Sequence, residues 1–224
     1  RALRGNLNDR TPEREREQER EREVVPSSFA RYPRHMPPDF SLGIDSGAHS
    51  GIALLFVPLS GRPRVELAFG VMGARQELWL DRATAALGQV KAFLAGRPFV
   101  AAIEEPPKSG KAKSLHGDPR GQRTWQGMGR RRGMLEALCY VHLGVVPRAI
   151  PQGDWTGTLF PIVAKKKLGE GEQKGLHRIR EAILLMDGAK EGVSRAPESC
   201  RVDVAESMLI AMASAALARR SSPP

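Results

Sequence analysis

Cysteine is scarce in this chain of 224 residues: there are two, Cys139 and Cys200, and both stand in apolar, helix-like surroundings. Two thiols without histidine partners at ligand spacing exclude a disulfide scaffold and a zinc–cysteine cluster, and they fit a reducing, cytosol-like compartment. Long apolar runs are missing too. Nothing approaches the ~20 uninterrupted apolar residues of a transmembrane helix, so no membrane partner is expected. The amino end is charged and polar and lacks the apolar centre of a secretory leader, so no export signal is expected. Acid is in short supply as well: 25 Asp and Glu oppose 35 Lys and Arg, a formal net charge of +10. That balance favours a polyanionic partner without saying which one.

The excess base is local. Residues 1–38 hold nine basic and seven acidic residues, a net of +2, and Glu13 to Glu23 is mostly alternating Glu and Arg. Such a segment has too little apolar surface to offset its ordering entropy, so a disordered charged tail or a lone solvated helix is expected. Residues 106–132 hold Lys108, Lys111, Lys113, Arg120, Arg123, Arg130, Arg131 and Arg132 against Asp118, a net of +7 and most of the chain's surplus. A second basic cluster follows at Lys165, Lys166, Lys167, Lys174, Arg178 and Arg180.

Between the tail and the carboxyl end, the pattern is that of a single domain over residues 39–220. Phe40 to Ile44 reads as a strand closing at Asp45, Ile52 to Val57 as a buried strand, and Val65 to Met72 as a third, with short turn-rich connections. Leu78 to Leu94 has helical spacing and Gly96 as its stop. Phe99 to Ile103 is a fourth strand ending at Glu104-Glu105. The basic stretch reads as a loop to residue 132, Met134 to Leu143 as a helix, and Val145 to Ile150 as a fifth strand. A loop carrying Trp155, a helix over Leu176 to Met186 and a last helix over Val202 to Leu217 complete the chain. This order predicts an α/β domain: a five-stranded mixed sheet, three antiparallel strands and then parallel strands, flanked by helices.

Four acids stand where these elements end or begin. Asp45 closes the first strand, Glu104 closes the fourth, and Asp203 and Glu206 open the last helix three residues apart, on one face. If strands one and four are neighbours and the last helix packs on their ends, the four carboxylates converge. Clustered hard oxygens repel one another unless divalent cations lie between them, and Mg²⁺ or Mn²⁺ prefers such ligands. Two such ions ~3.5–4 Å apart activate a water and stabilise the leaving oxygen of a phosphodiester. Each acid also has a simpler role open to it. Asp45 suits the turn at Ser46-Gly47. Glu104 could be a solvated strand end, and Asp203 and Glu206 could complement a helix dipole. Their joint placement favours phosphodiester hydrolysis.

These segments resemble the RuvC-like branch of the RNase H-like superfamily, the Holliday junction resolvases. Leu42-Gly43-Ile44-Asp45-Ser46-Gly47 is similar to the family's first-strand Asp-x-Gly, and Ala102-Ile103-Glu104-Glu105 to its fourth-strand Ile-Glu. Asp203-Val204-Ala205-Glu206-Ser207-Met208-Leu209 is similar to its terminal-helix motif, and Gln126 to Gly133 to the segment before its dimer-forming helix. The resemblance covers about residues 40–218.

What the resemblance implies is an RNase H-like fold and a homodimer that binds four-way DNA junctions and nicks opposed strands. Each subunit would hold two Mg²⁺ or Mn²⁺ ions on Asp45, Glu104, Asp203 and Glu206, with Lys174 as the basic residue near the scissile phosphate. Family members often carry a junction-stacking aromatic after the fourth-strand Glu. Here Pro106 and Pro107 stand in that place, which makes Trp125 the candidate stacking platform, with a purely structural role also open to it. Lys108, Lys111, Lys113, Arg123, Arg130, Arg131, Arg132, Lys165 and Lys166 are the candidate phosphate contacts. A bacterial or phage origin would place the protein in the cytoplasm with the nucleoid, and an organellar origin stays open. Three other readings remain: a superfamily nuclease acting on RNA or on branched or single-stranded DNA, an inactive nucleic-acid-binding protein, and an actin-like ATPase. The ATPase would need two such domains, for which the chain is too short.

Overall fold

The computed structural model describes residues 39–47, 49–73, 75–105, 119–159 and 174–221, of which 119–125 and 174 are described as helical backbone. The charged tail expected over 1–38 lies outside the described residues. Strand β1 (Phe40–Asp45) pairs antiparallel with β2 (Ser50–Phe56), and β2 with β3 (Arg64–Val71). On its other side β1 runs parallel to β4 (Phe99–Glu105), which runs parallel to β5 (Arg148–Pro151). The sheet order is therefore β3-β2-β1-β4-β5, the expected mixed sheet. Ile44 lies beside Ile103 in register, so the carboxyl ends of β1 and β4 reach the same edge.

Successive side chains of a strand point to opposite faces, and here the two faces are built differently. Phe40, Leu42 and Ile44 alternate onto one face with Ile52, Leu54 and Ile103. They pack there under α1 (Gln76–Leu94) and α2 (Pro119–Leu143), whose Trp79, Leu87, Val90 and Leu135 complete that core. Burying each such large side chain contributes roughly 1.5–3 kcal/mol. The other face takes the intervening residues, which on β1 are small. Ser41 donates from Oγ to the Ala211 carbonyl at 2.7 Å. Gly43 lies so close to α6 (Arg201–Ser221) that an added Cβ would stand 2.0 Å from the Ser207 carbonyl oxygen. At Gly51 of β2 the same atom would stand 2.1 Å from the Asp203 carbonyl oxygen. Two missing side chains let the α6 backbone lie directly on β1 and β2. This close approach fixes where the first turn of α6 meets the sheet edge. Val204, Met208, Leu209 and Ala213 of α6 join Ala102, Ile150 and Trp155 in the second core, beside α3 (Gln152–Leu159), α4 (Lys174–Leu185) and α5 (Ala189–Arg195).

Three sequence expectations are corrected. Residues 119–132, read as part of a basic loop, are the first half of α2, which runs unbroken from Pro119 to Leu143. Proline suits a first helical position, and Gly127 and Gly129 face open space among the described residues, so each costs the helix only about 0.5–1 kcal/mol. Trp155 is on α3 and not in a loop, because its indole is buried and recruits the helix to the core. Cys200 lies in a single 3-10 turn over Glu198–Cys200 that leads into α6, and α5 had no counterpart in the sequence reading. Both thiols are free and buried.

Candidate active site

Asp45 occupies the last position of β1, on the face turned to α6, the same face as Ser41 and Gly43. Glu104 lies on that face of β4, because Gly43 pairs with Ala102 and Glu104 stands two residues on. Glu206 faces them from the first turns of α6. Asp45, Glu104 and Glu206 each present a carboxylate oxygen, and the three oxygens lie within 4.8 Å of one another. Asp203 sits one turn earlier and joins through Asp45, with which it shares a hydrogen bond. Gly47 lies against both aspartates. Its N–H donates to Asp45 Oδ1 at 3.1 Å, and a Cβ there would stand 3.2 Å from Asp203 Oδ1 and 3.4 Å from Asp45 Oδ2.

This concentration of acid alters every member. Burial first, and then the charges of Glu104, Glu206 and Asp203, hold the Asp45 carboxyl well above the usual carboxylate range. Burial raises Glu104 as well, while the Trp155 N–H and the Arg178 charge pull it back. Asp203 is raised by burial, against its hydrogen bond to Asp45 and the nearby His49. Glu206 is pushed up to about 7 by burial and by Glu104, with Arg178 opposing. The cluster therefore holds protons that exposed carboxylates would shed, because burial and mutual repulsion disfavour its charged form.

Two residues support the acids and were not assigned to the site from sequence. Trp155 Nε1 donates to Glu104 Oε1 at 3.2 Å, which orients that carboxylate. The Arg178 guanidinium lies over the Trp155 ring, 4.9 Å from its centroid. It reaches Glu206 Oε1 at 3.6 Å and Glu181 Oε2 at 3.1 Å, and Glu181 Oε1 accepts from His177 Nε2 at 2.7 Å. Helical spacing held a usable signal for Arg178: it follows Lys174 by four residues and therefore shares its face of α4. No comparable local signal existed for Trp155, whose partner is 51 positions away.

No protein-family model matches the chain, and no curated protein matches it. Solved structures do match. The Thermus thermophilus RuvC structure superimposes with a TM-score of 0.53 at 19% identity, covering 82% of this chain and 97% of that one. T. thermophilus RuvC in complex with its Holliday junction substrate gives 0.54 at 18% identity, covering 82% and 96%. The fold is that of RuvC. The RNase H-like sheet expected from the motifs is thereby established at the level of architecture.

Within this RuvC fold the remaining candidates fall in three groups. Lys174 is the first residue of α4, one turn before Arg178. Arg123 and Trp125 belong to the first turns of α2, while Arg130, Arg131 and Arg132 lie midway along it, with Arg132 Nε 2.8 Å from Glu136 Oε1. Lys108, Lys111, Lys113, Lys165 and Lys166 lie outside the described residues.

Proposed function

We propose that this protein is a divalent-metal-dependent endonuclease that cuts four-way DNA junctions. The observation that carries the reading is the meeting of Asp45, Glu104 and Glu206 at the joint carboxyl edge of β1 and β4, on a RuvC fold. Ligand sites of open parallel sheets gather at that edge, and a buried all-oxygen donor set of net negative charge suits Mg²⁺ or Mn²⁺. Asp45, Glu104 and Glu206, with Asp203 beside Asp45, would hold two such ions, which supply an activated water and neutralise charge on the leaving oxygen. The protein's own part is positioning. Gly47 fixes one oxygen of Asp45 and Trp155 one oxygen of Glu104, which leaves the second oxygen of each for a cation. Arg178 restrains Glu206 through its ion pair. We assign to Lys174 the stabilisation of charge on the scissile phosphate, from the same helical face as Arg178.

Partner and assembly follow the same reading: a branched DNA held by the basic residues, cut by a homodimer with one site for each of two opposed strands. A synthetic four-way junction and a linear duplex of the same sequence, incubated with Mg²⁺, Mn²⁺ or EDTA, provide the test. Cleavage confined to the junction and to the metal-containing reactions is expected. Cutting that survives EDTA would overturn the metal assignment. Equal cutting of duplex, or cutting of single strands or RNA alone, would move the protein to another nuclease class.

A further inference from the structure

Apart from Asp45, one acid is buried among the described residues, and it is no member of the carboxylate cluster: Glu181 of α4, 7% exposed. A buried carboxylate needs partners, and the preceding turn of its own helix supplies two. Glu181 Oε1 accepts from His177 Nε2 at 2.7 Å, and Oε2 accepts from Arg178 Nη1 at 3.1 Å. Arg178 therefore meets two acids, on unequal terms. Its contact with Glu181 is a hydrogen bond, whereas Glu206 Oε1 stands 3.6 Å from Arg178 Nε, an ion pair beyond hydrogen-bond reach. The guanidinium also lies over the Trp155 ring, whose indole donates to Glu104. Glu181 thus anchors a chain of contacts that reaches two of the clustered carboxylates.

We infer that Glu181 is a positioning residue for the cation site: it holds Arg178 off Glu206, so that Glu206 keeps its oxygens for divalent ions. Arginine and a carboxylate readily form a bidentate pair, and such a pair would occupy both Glu206 oxygens. The negative charge gathered at Asp45, Glu104 and Glu206 attracts a guanidinium as it attracts a metal ion. With no second anion to hold it, Arg178 would become the cluster's own cation. Glu181 supplies that second anion, and His177 fixes its other oxygen. This role rests on the proposed nuclease reading. It differs from a plain stabilising contact in one respect: removing Arg178 should undo the damage done by removing the Glu181 charge.

Mn²⁺ binding to the full chain without DNA, followed by calorimetry at pH 8, separates the two. Glu181→Gln keeps the shape and should weaken Mn²⁺ binding about tenfold, the lower end for loss of a supporting partner at a metal site. Glu181→Met, which leaves no buried polar group in need of a partner, should do the same where the amide variant is unstable. Adding Arg178→Gln to either should recover most of the affinity, a coupling that two residues merely supporting the fold would not show. In EDTA, the Arg178 Nε–H resonance should move in Glu181→Gln, and the movement should be absent when Glu206→Gln is already in place. Parent-like Mn²⁺ affinity in both single variants, double variants no better than the singles, or an Arg178 resonance unmoved by Glu181→Gln would each overturn the role. A parent chain that binds no Mn²⁺ would sink the nuclease reading, while the resonance in EDTA would still decide whether Glu181 holds Arg178 off Glu206.

Discussion

At the scale of single residues, Asp45 bears the greatest electrostatic load. Its carboxyl is buried, faces three other acids and is held by one backbone N–H. Asp45→Asn keeps the shape and removes the charge. Cleavage should fall by at least about 10²–10³-fold, the scale of losing one group aimed at developing charge, while junction affinity in EDTA stays the same or improves. Binding lost along with activity would make Asp45 a structural residue. Trp155 acts one step back. In Trp155→Phe the ring still fills the core and still underlies Arg178, but Glu104 loses its donor. Metal affinity should weaken about 10–100-fold, with cleavage recovering at high Mg²⁺, as is typical when a partner of a ligand is removed. Loss that no Mg²⁺ concentration restores would point to a role beyond orientation. These two residues differ in how far they could be read in advance. Asp45, Glu104, Asp203 and Glu206 stand at element ends, and the alternation of β1 and β4 already sets the first two on one face. Trp155 meets Glu104 only after α3 folds back from β5, a contact between distant positions that no periodicity records.

Among the elements, α6 governs the site, and its seat depends on absent side chains. Gly43→Ala would force a Cβ against backbone, 2.0 Å from the Ser207 carbonyl oxygen and 2.4 Å from the Ala211 nitrogen, so the helix must move off β1. A loss of about 1–3 kcal/mol in denaturant unfolding is expected, with metal affinity reduced because Glu206 and Asp203 travel with the helix. Gly129→Ala in α2 meets nothing within 4 Å among the described residues and should stabilise by about 0.4–1 kcal/mol by restricting the unfolded chain. Two changes of the same type should therefore have opposite signs. A Gly43→Ala protein as stable as the parent would mean that β1 and α6 do not approach as closely as described. Strands and the apolar halves of helices were legible because burial imposes period on them. The first half of α2 was not: residues 119–132 are basic and glycine-rich, and their helical state follows from continuity with the buried stretch around Leu135 and Cys139, not from a pattern of their own.

For the molecule as a whole, the acid cluster sets a dependence of stability on pH that runs against the common one. Paired carboxylates are ordinarily lowered by folding and stabilise as pH rises. Here Asp45, Glu104, Asp203 and Glu206 are all raised, Glu206 to about 7 from 4.5. Between about pH 4.5 and 7 the folded chain therefore binds more protons than the unfolded one, and stability in EDTA must fall as pH climbs through that window. Glu206 alone accounts for at most roughly 3 kcal/mol of this fall. On the proposed cation-site reading, divalent ions should reverse it, because they would bind the deprotonated acids of the folded state. Thermal unfolding in EDTA should thus give a lower midpoint at pH 8 than at pH 5.5. Added Mg²⁺ should raise the midpoint strongly at pH 8 and little at pH 5.5. Glu206→Gln should flatten the EDTA profile and shrink the response to Mg²⁺. Midpoints that do not fall with pH in EDTA, or a Mg²⁺ effect larger at pH 5.5, would mean that the four acids are not coupled as a cation site. The contrast with the chain's net charge of +10 is physically consistent. On the proposed reading, excess base would attract DNA over a distance, and a small surplus of acid at the site would be tolerated because cations neutralise it.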